Sequence, residues 1–173
     1  EGFKIELSNA QNATIRIGAA TGTINNDDLQ IVLTPSAFEV VEGNLGDEQS
    51  VGFRLDATGV ATATKALVRW HVEGLTAGAL STSDFRINQD TLETNNGLPS
   101  AQTVISLVNG TGSQTVNVWL AGDNGVGPDE KFRFVVDSVK ALDSNDELLA
   151  TGNVLGDGHA EVTVKDDDTL IGL

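Results

Sequence analysis

The sequence predicts an all-β protein folded as an antiparallel β-sandwich. Short segments in which apolar and polar residues alternate recur along the 173 residues, and turn-forming residues separate them. No segment has the apolar spacing of an amphipathic helix. Hydrophobic residues make up 39% of the chain, which is enough for the core of one domain.

Alternation locates eight strands in the main part of the chain. They lie near residues 30–42, 50–57, 65–73, 84–88, 101–108, 114–121, 131–142 and 159–165. Turn signals stand at Gly43-Asn44, Asn95-Asn96-Gly97, Asn109-Gly110 and Gly122-Asp123-Asn124-Gly125. Many short strands at this spacing are typical of a sandwich.

One face of each predicted strand is apolar and the other is polar. In the third strand, for example, Val68, Trp70 and Val72 alternate with Arg69 and His71. Most aromatic side chains are therefore expected in the core. 

Trp119 is the exception, because it shares the outward face of its strand with Asn117. It is expected either to cover a sheet edge or to mark a contact patch.

The charge of the chain restricts its partners. With 25 acidic and 10 basic residues, the formal net charge is −15, which disfavours nucleic acid and anionic membrane surfaces. An acidic excess instead suits solubility or sites for hard cations such as calcium. The chain has no cysteine, and no apolar run approaches the roughly 18–20 residues of a membrane span.

Two pairs of segments indicate an internal repeat. Residues 1–7 (EGFKIEL) match residues 130–136 (EKFRFVV) in character, at an offset of 129. Residues 23–33 (TINNDDLQIVL) match residues 163–173 (TVKDDDTLIGL), at an offset of 140. The repeat period is therefore about 140 residues.

This repeat divides the chain into three pieces. Residues 1–28 are expected to be the last strands of one repeat, residues 29–168 a whole repeat, and residues 169–173 the first strand of the next. The chain would then be a piece of a longer protein. The second copy carries about eleven extra residues, which we expect within residues 141–158.

Acidic residues stand at the predicted strand ends. They are Glu42, Asp84, Asp123, Glu130, Asp166, Asp167 and Asp168. Alternate strand ends of an antiparallel sandwich meet at one pole, so these carboxylates can surround one or two calcium ions. The alternatives are a solvated charge run for the aspartate triplet and surface acids for Glu42 and Asp84. 

The remaining acids of this part of the chain are assigned elsewhere. Asp129 is expected beside the site. Asp143, Asp146, Glu147 and Asp157 are expected in a solvated loop of the last hairpin.

The segments "GDNGVGPDEKFRFVVDSV" and "AEVTVKDDD" resemble the Calx-beta domain. The resemblance covers residues 29–168 and implies a seven-stranded immunoglobulin-like sandwich that binds calcium. It implies that the seven acids above are ligands, and that Glu1, Asp27 and Asp28 are their counterparts in the partial repeat. Gly122, Asn124 and Gly127 stand where fuller members have acids, which implies one or two ions.

The expected function is a calcium-binding structural or adhesion module of a tandem-repeat extracellular or cell-surface protein. Its partners would be neighbouring repeats in the same chain or in adjacent subunits, and calcium would stiffen each domain and each junction. The alternatives are a filament subunit that assembles by strand addition and a regulatory calcium sensor. No motif supports catalysis, and no enzyme activity is expected.

Overall fold

The computed structural model describes residues 2–24, 28–75, 82–86, 93–95 and 98–168. The predicted strand 169–173, Glu1 and Asp27 lie outside these described residues.

An N-terminal hairpin forms a sheet of its own. Strand β1 (Gly2–Glu6) pairs antiparallel with β2 (Ala19–Thr23), and among the described strands the two hydrogen-bond only with each other. Its large apolar side chains stay exposed, Phe3 to 46% and Ile5 to 57%. The hairpin therefore has no core of its own.

Eleven further strands build the main body. They are β3 (Leu29–Pro35), β4 (Glu39–Val41), β5 (Glu48–Thr58), β6 (Lys65–Gly74), β7 (Phe85–Arg86), β8 (Glu93–Asn95), β9 (Leu98–Ser106), β10 (Thr111–Ala121), β11 (Glu130–Leu142), β12 (Leu148–Leu155) and β13 (His159–Lys165). A 3₁₀ turn, Thr82–Asp84, precedes β7. The antiparallel sandwich expected from the alternation is confirmed.

The strands form two layers. One layer has the order β7-β10-β5-β3, and the other runs β8-β9-β6-β11, with β13 beside β11 and β4 beside β13. Strand β12 lies between β11 and β3 and joins the layers. Apolar residues at every second position face inward, as in β10, where Val116, Val118 and Leu120 are buried.

Aromatic rings fill the space between the layers. Phe53 of β5 stacks on Phe134 of β11, with ring centroids 4.4 Å apart, and Phe134 stacks in turn on Trp70. Phe132 meets Phe53 edge to face at 6.1 Å. These contacts fix the two layers against each other, which fixes the positions of the strand ends.

The predicted first strand, 30–42, is wrong as a single element. It breaks at residues 36–38 into β3, antiparallel to β5, and β4, parallel to β13. The chain thereby crosses from one layer to the other. The crossing brings Glu42 to the end of β13, where the Glu42 N–H donates to the Lys165 carbonyl at 3.1 Å.

The prediction of a solvated loop in the last hairpin is only partly right. Residues 148–155, within the predicted 141–158 segment, form strand β12. The half-buried residues of β12 are small or of modest size, Ala150, Gly152 and Val154, so its alternation signal is weak. Gly152 is needed there, since an added Cβ would come within 2.9 Å of the Leu29 carbonyl oxygen and of Val139.

The acids of that region lie in turns on either side of β12. Asp146, Glu147 and Asp157 are exposed. The Asp143 carboxylate is half-buried and closes its turn by accepting from the N–H groups of Asn145 and Glu147, each at 2.8 Å.

The hairpin and the β11–β13 pair have the same register. Phe3 pairs with Gly22, and Phe132 pairs with Val162. These partners are offset by 129 residues in the first strand and 140 in the second, and all five hairpin pairs keep the same offsets. Strand pairing therefore repeats with the spacing found in the sequence.

Candidate metal centre

Six of the seven predicted acids of the whole repeat gather at one pole of the sandwich. Glu42 follows β4, Asp84 precedes β7, and Asp123 follows β10. Glu130 opens β11, and the triplet follows β13. The strand ends of both layers thus bring acids that are up to 126 residues apart in sequence to one place.

A small cavity lies among these acids. It has a volume of about 50 Å³ and is lined by five of the carboxylate side chains, by Val164 and by the loop residues Gly125, Gly127 and Pro128. None of the described lining residues is basic. Unscreened carboxylates at this spacing repel one another.

Glu42, Asp166 and Asp168 form the tightest group. All three are half-buried, and each offers a carboxylate oxygen within 4.8 Å of the others. The Oδ2 atom of Asp168 is buried without a hydrogen-bond partner. A buried oxygen of a charged group in this state requires a cation or a proton.

The electrostatics of the pole favour protonation of its acids. Burial, followed by the charges of the neighbouring carboxylates, raises the pKa of Glu42 from 4.5 to about 7. Burial and neighbouring carboxylates also raise the pKa values of Glu130 and Asp168. Each raised pKa means that the ionised form is disfavoured in the folded protein without a cation.

Gly122, Asn124 and Gly127 lie in the loops around the cavity. The Gly127 N–H donates to Asp166 Oδ2 at 2.6 Å, and Asn124 Oδ1 accepts from the Leu45 N–H at 3.1 Å. Gly122 lies against the backbone carbonyls of Gly43 and the residue after it, and an added Cβ would collide with them. These positions shape the loops that hold the acids.

Asp167 is placed differently from its two neighbours. Its side chain is exposed, and Oδ1 accepts from the Gly43 N–H at 3.2 Å. Asp166 lines the cavity, and its Oδ1 accepts from the Asp168 N–H at 3.0 Å, whereas Asp167 is bonded to the loop after β4. The sequence pattern did not separate these two roles.

Asp129 stands beside the cavity and is paired elsewhere. Its Oδ2 lies 2.6 Å from Lys165 Nζ, and this hydrogen bond lowers the pKa of Asp129. The pair also keeps the ammonium group of Lys165 outside the cavity lining.

Asp28, the described acid among those predicted in the partial repeat, does not join this group. Asp28 directly precedes β3, at the opposite pole of the sandwich. Its backbone carbonyl lies against Gly59, where an added Cβ would collide with it. Glu1 and Asp27 lie outside the described residues.

Solved structures share this architecture at low sequence identity. The crystal structure of the Calx CBD2 domain has a TM-score of 0.51 and 10% identity, and the match covers 84% of this chain and 91% of that one. The apo-form Calx CBD1 domain matches with a TM-score of 0.49 and 17% identity, over 82% and 100%. A type II cohesin domain from the cellulosome of Acetivibrio cellulolyticus matches at 0.43 and 9%, over 78% and 95%.

No family model matches the sequence, and no curated protein matches it significantly. The likeness to the CBD2 domain shows a Calx-beta-like, immunoglobulin-like sandwich. Across the described part of the chain there is no helix with the length and apolar character needed to cross a bilayer.

Proposed function

We propose that this chain is a calcium-binding structural module from a tandem array of extracellular Calx-beta-like repeats. The observation that carries the proposal is the convergence of Glu42, Asp166 and Asp168 within 4.8 Å of one another. Calcium held there would neutralise the pole, stiffen the sandwich and restrict the junction between repeats. Such an array would act in adhesion or in a cell-surface matrix.

The residues present fit calcium. The donors at the pole are carboxylate oxygens, and calcium takes six to eight oxygen ligands in flexible geometry. Glu42, Asp166 and Asp168 would hold the ion, with Asp123, Glu130 and Asp84 close by. The cavity of about 50 Å³ between these acids leaves space for an ion.

The position of the site explains how an ion would stiffen the domain. Asp84 and Asp123 adjoin strands of the β10 layer, whereas Glu42, Glu130 and Asp166 adjoin strands of the β11 layer. An ion shared among them would link the two layers at their ends. A ligand that binds only the folded form also raises stability by mass action.

The shared register of the hairpin and the β11–β13 pair supports the tandem arrangement. Under this proposal, residues 1–28 are the last strands of a preceding sandwich. Asp28 is followed at once by β3, so consecutive domains would join without a linker. The acidic pole of one sandwich would then face the opposite pole of the next.

Calcium titration of decalcified protein tests the metal site. At a calcium concentration of about 100 times Kd, the gain is about 2.7 kcal/mol, or a melting temperature higher by about 5–10 °C for a domain of this size. Glu42→Gln should remove most of this gain. Asp157→Asn, an exposed acid in the turn between β12 and β13, is the matched control and should keep it. An unchanged melting temperature and no bound ion in the parent protein would refute the site.

A second candidate function is a filament subunit that assembles by strand addition. The exposed apolar side chains of the hairpin favour it, including Leu7 at 62% and Ile17 at 76%. Sedimentation separates the two proposals. A chain that stays monomeric over a wide concentration range supports the tandem module, and concentration-dependent polymers that disappear on deletion of residues 2–24 support the filament.

A further inference from the structure

A cleft lies between β9 and β10, apart from the acidic pole. Its volume is about 440 Å³, which is within the range of small-ligand sites. One wall carries Gln102 and Thr103 of β9, and the other carries Gln114, Asn117 and Trp119 of β10. Trp119 is the tryptophan that the sequence predicts to face outward rather than into the core.

The described lining residues are uncharged, although one residue in five of the chain is charged and the net charge is −15. Their polar groups are amides and hydroxyls, which both donate and accept hydrogen bonds. Arg69 Nε donates to the amide oxygen of Gln102 at 3.5 Å. Such a lining selects neutral ligands that carry many hydroxyl groups.

Two tryptophans organise the cleft. Trp70 is 3% exposed and donates its indole N–H to Thr103 Oγ1 at 2.9 Å, which leaves the Thr103 hydroxyl proton available to another acceptor. Trp119 is half-buried in the opposite wall. An indole face next to amide side chains offers an apolar platform and hydrogen bonds in one place.

We propose that this cleft binds a neutral oligosaccharide. The C–H face of a sugar ring would stack on Trp119, and its hydroxyls would exchange hydrogen bonds with the amides of Gln114, Asn117 and Gln102. Acidic glycans are disfavoured by the charge of the chain. The site lies on β9 and β10 and requires no calcium, so it does not depend on the function proposed above.

An extended peptide is the competing occupant. Within the described residues, β10 pairs on this side at Thr111, Trp119 and Leu120, and β9 at residues 98–100, so the backbone groups between these points border the cleft. A peptide strand would bind through those backbone groups and would depend little on the amide side chains. The uncharged, amide-rich lining favours the saccharide.

The test is calorimetric titration of the full chain with neutral hexasaccharides: cello-, xylo-, malto-, laminari- and chitohexaose. Hexagalacturonate is the acidic comparison. At least one neutral probe should bind, more tightly than the acidic one. Trp119→Ala should weaken binding by about tenfold or more, and Trp119→Phe should weaken it less. Phe38→Ala, which removes an aromatic ring that is 69% exposed outside the cleft, is the matched control and should have no effect.

Three outcomes would overturn the proposal. They are no binding of any neutral probe at about 10 mM, equal binding by Trp119→Ala, and tighter binding of hexagalacturonate. If Trp119→Ala lowers the melting temperature, Gln114→Ala and Asn117→Ala replace it, because both side chains are exposed. Binding of uncharged peptides that survives these two changes would assign the cleft to strand addition.

Discussion

The β1–β2 hairpin and the β11–β13 pair are the same ladder in two settings. Both pair a phenylalanine with the same register, yet Phe3 is 46% exposed and Phe132 is fully buried. In the hairpin the Phe3 ring lies over Gly22, whereas Phe132 packs against Phe53 and Phe85 across the sandwich. Local sequence is therefore enough to set the pairing of two strands, but burial comes from the strands around them.

The same contrast applies to the acids. Asp28 follows β2 as Asp168 follows β13, and burial together with neighbouring carboxylates raises the pKa of Asp168. An aspartate after a strand becomes part of a metal centre when strands from a second layer bring further acids to it.

Truncating Phe132 should lower the stability of the protein far more than truncating Phe3. Phe132→Ala leaves a cavity in the aromatic cluster and should lower the free energy of unfolding by about 3–5 kcal/mol. Phe3→Ala should change it by less than about 0.5 kcal/mol, since no core surrounds the ring. Urea unfolding followed by fluorescence reports on the sandwich, because both tryptophans lie in it. A comparable loss in both variants would mean that the hairpin is packed onto the sandwich.

Replacing Asp168 or Asp28 with asparagine should show that the calcium response depends on the acidic pole and not on the opposite pole. Asp168→Asn should raise the melting temperature of the decalcified protein, because it removes a repelled, half-buried charge, and should abolish most of the rise caused by calcium. Asp28→Asn should leave both values unchanged. Calorimetry with and without calcium measures both. An equal loss of the calcium effect in the two variants would place a ligand at the opposite pole.

The sequence predicts which strand ends meet at the acidic pole, but not how each side chain is oriented there. Strand-end logic brings Glu42, Asp123 and Glu130 together correctly, since alternation locates the strands and antiparallel packing aligns their ends. It does not separate Asp167 from its two neighbours, because that requires knowing the path of the chain after β13. The close approach at Gly122 also depends on a loop about 80 residues away, which no local pattern shows.

The fold shows the same division. The long strands with large alternating side chains follow from sequence. Strand β12 does not, because the space beside Leu29 and Val139 admits only small residues, and small residues give a weak periodic signal. The division of the first strand between the layers has a local signal in Pro35, at the end of β3, but its partners, β5 and β13, are set by the fold.

The pH dependence should distinguish the two poles as well. The folded-state pKa values of Glu42, Glu130 and Asp168 lie above their ordinary values, so the folded protein holds these protons more tightly than the unfolded chain. The stability of decalcified protein should therefore fall as the pH rises from about 4.5 through about 7, the pKa of Glu42 in the folded protein. Calcium should oppose this fall, since it binds the ionised carboxylates.

Melting temperatures of decalcified protein at about pH 5 and about pH 7.5 measure the effect. Glu42→Gln should flatten the profile, and Asp28→Asn should keep it. A profile that rises toward neutral pH in the decalcified parent protein would show that the acids at the pole are not destabilised by one another.

Hydrogen exchange compares the backbone amides of the two ladders directly. A two-stranded hairpin is marginal in water, so the paired amides of β1 and β2 should exchange nearly as fast as those of an unfolded chain, whereas those of β11 and β13 open only with the sandwich.

If burial alone separates the two ladders, supplying a sandwich should protect the hairpin. A chain in which residues 29–129 are repeated ahead of Glu1 offers β1 and β2 the strands that β11 and β13 normally pack against. Slower exchange at Phe3 and Ile5 in that chain, by about tenfold or more, would support residues 1–28 as the closing strands of a repeat. Unchanged exchange would mean that equal register does not reflect equal structural role, and it would leave strand addition to another subunit as the explanation of the exposed face.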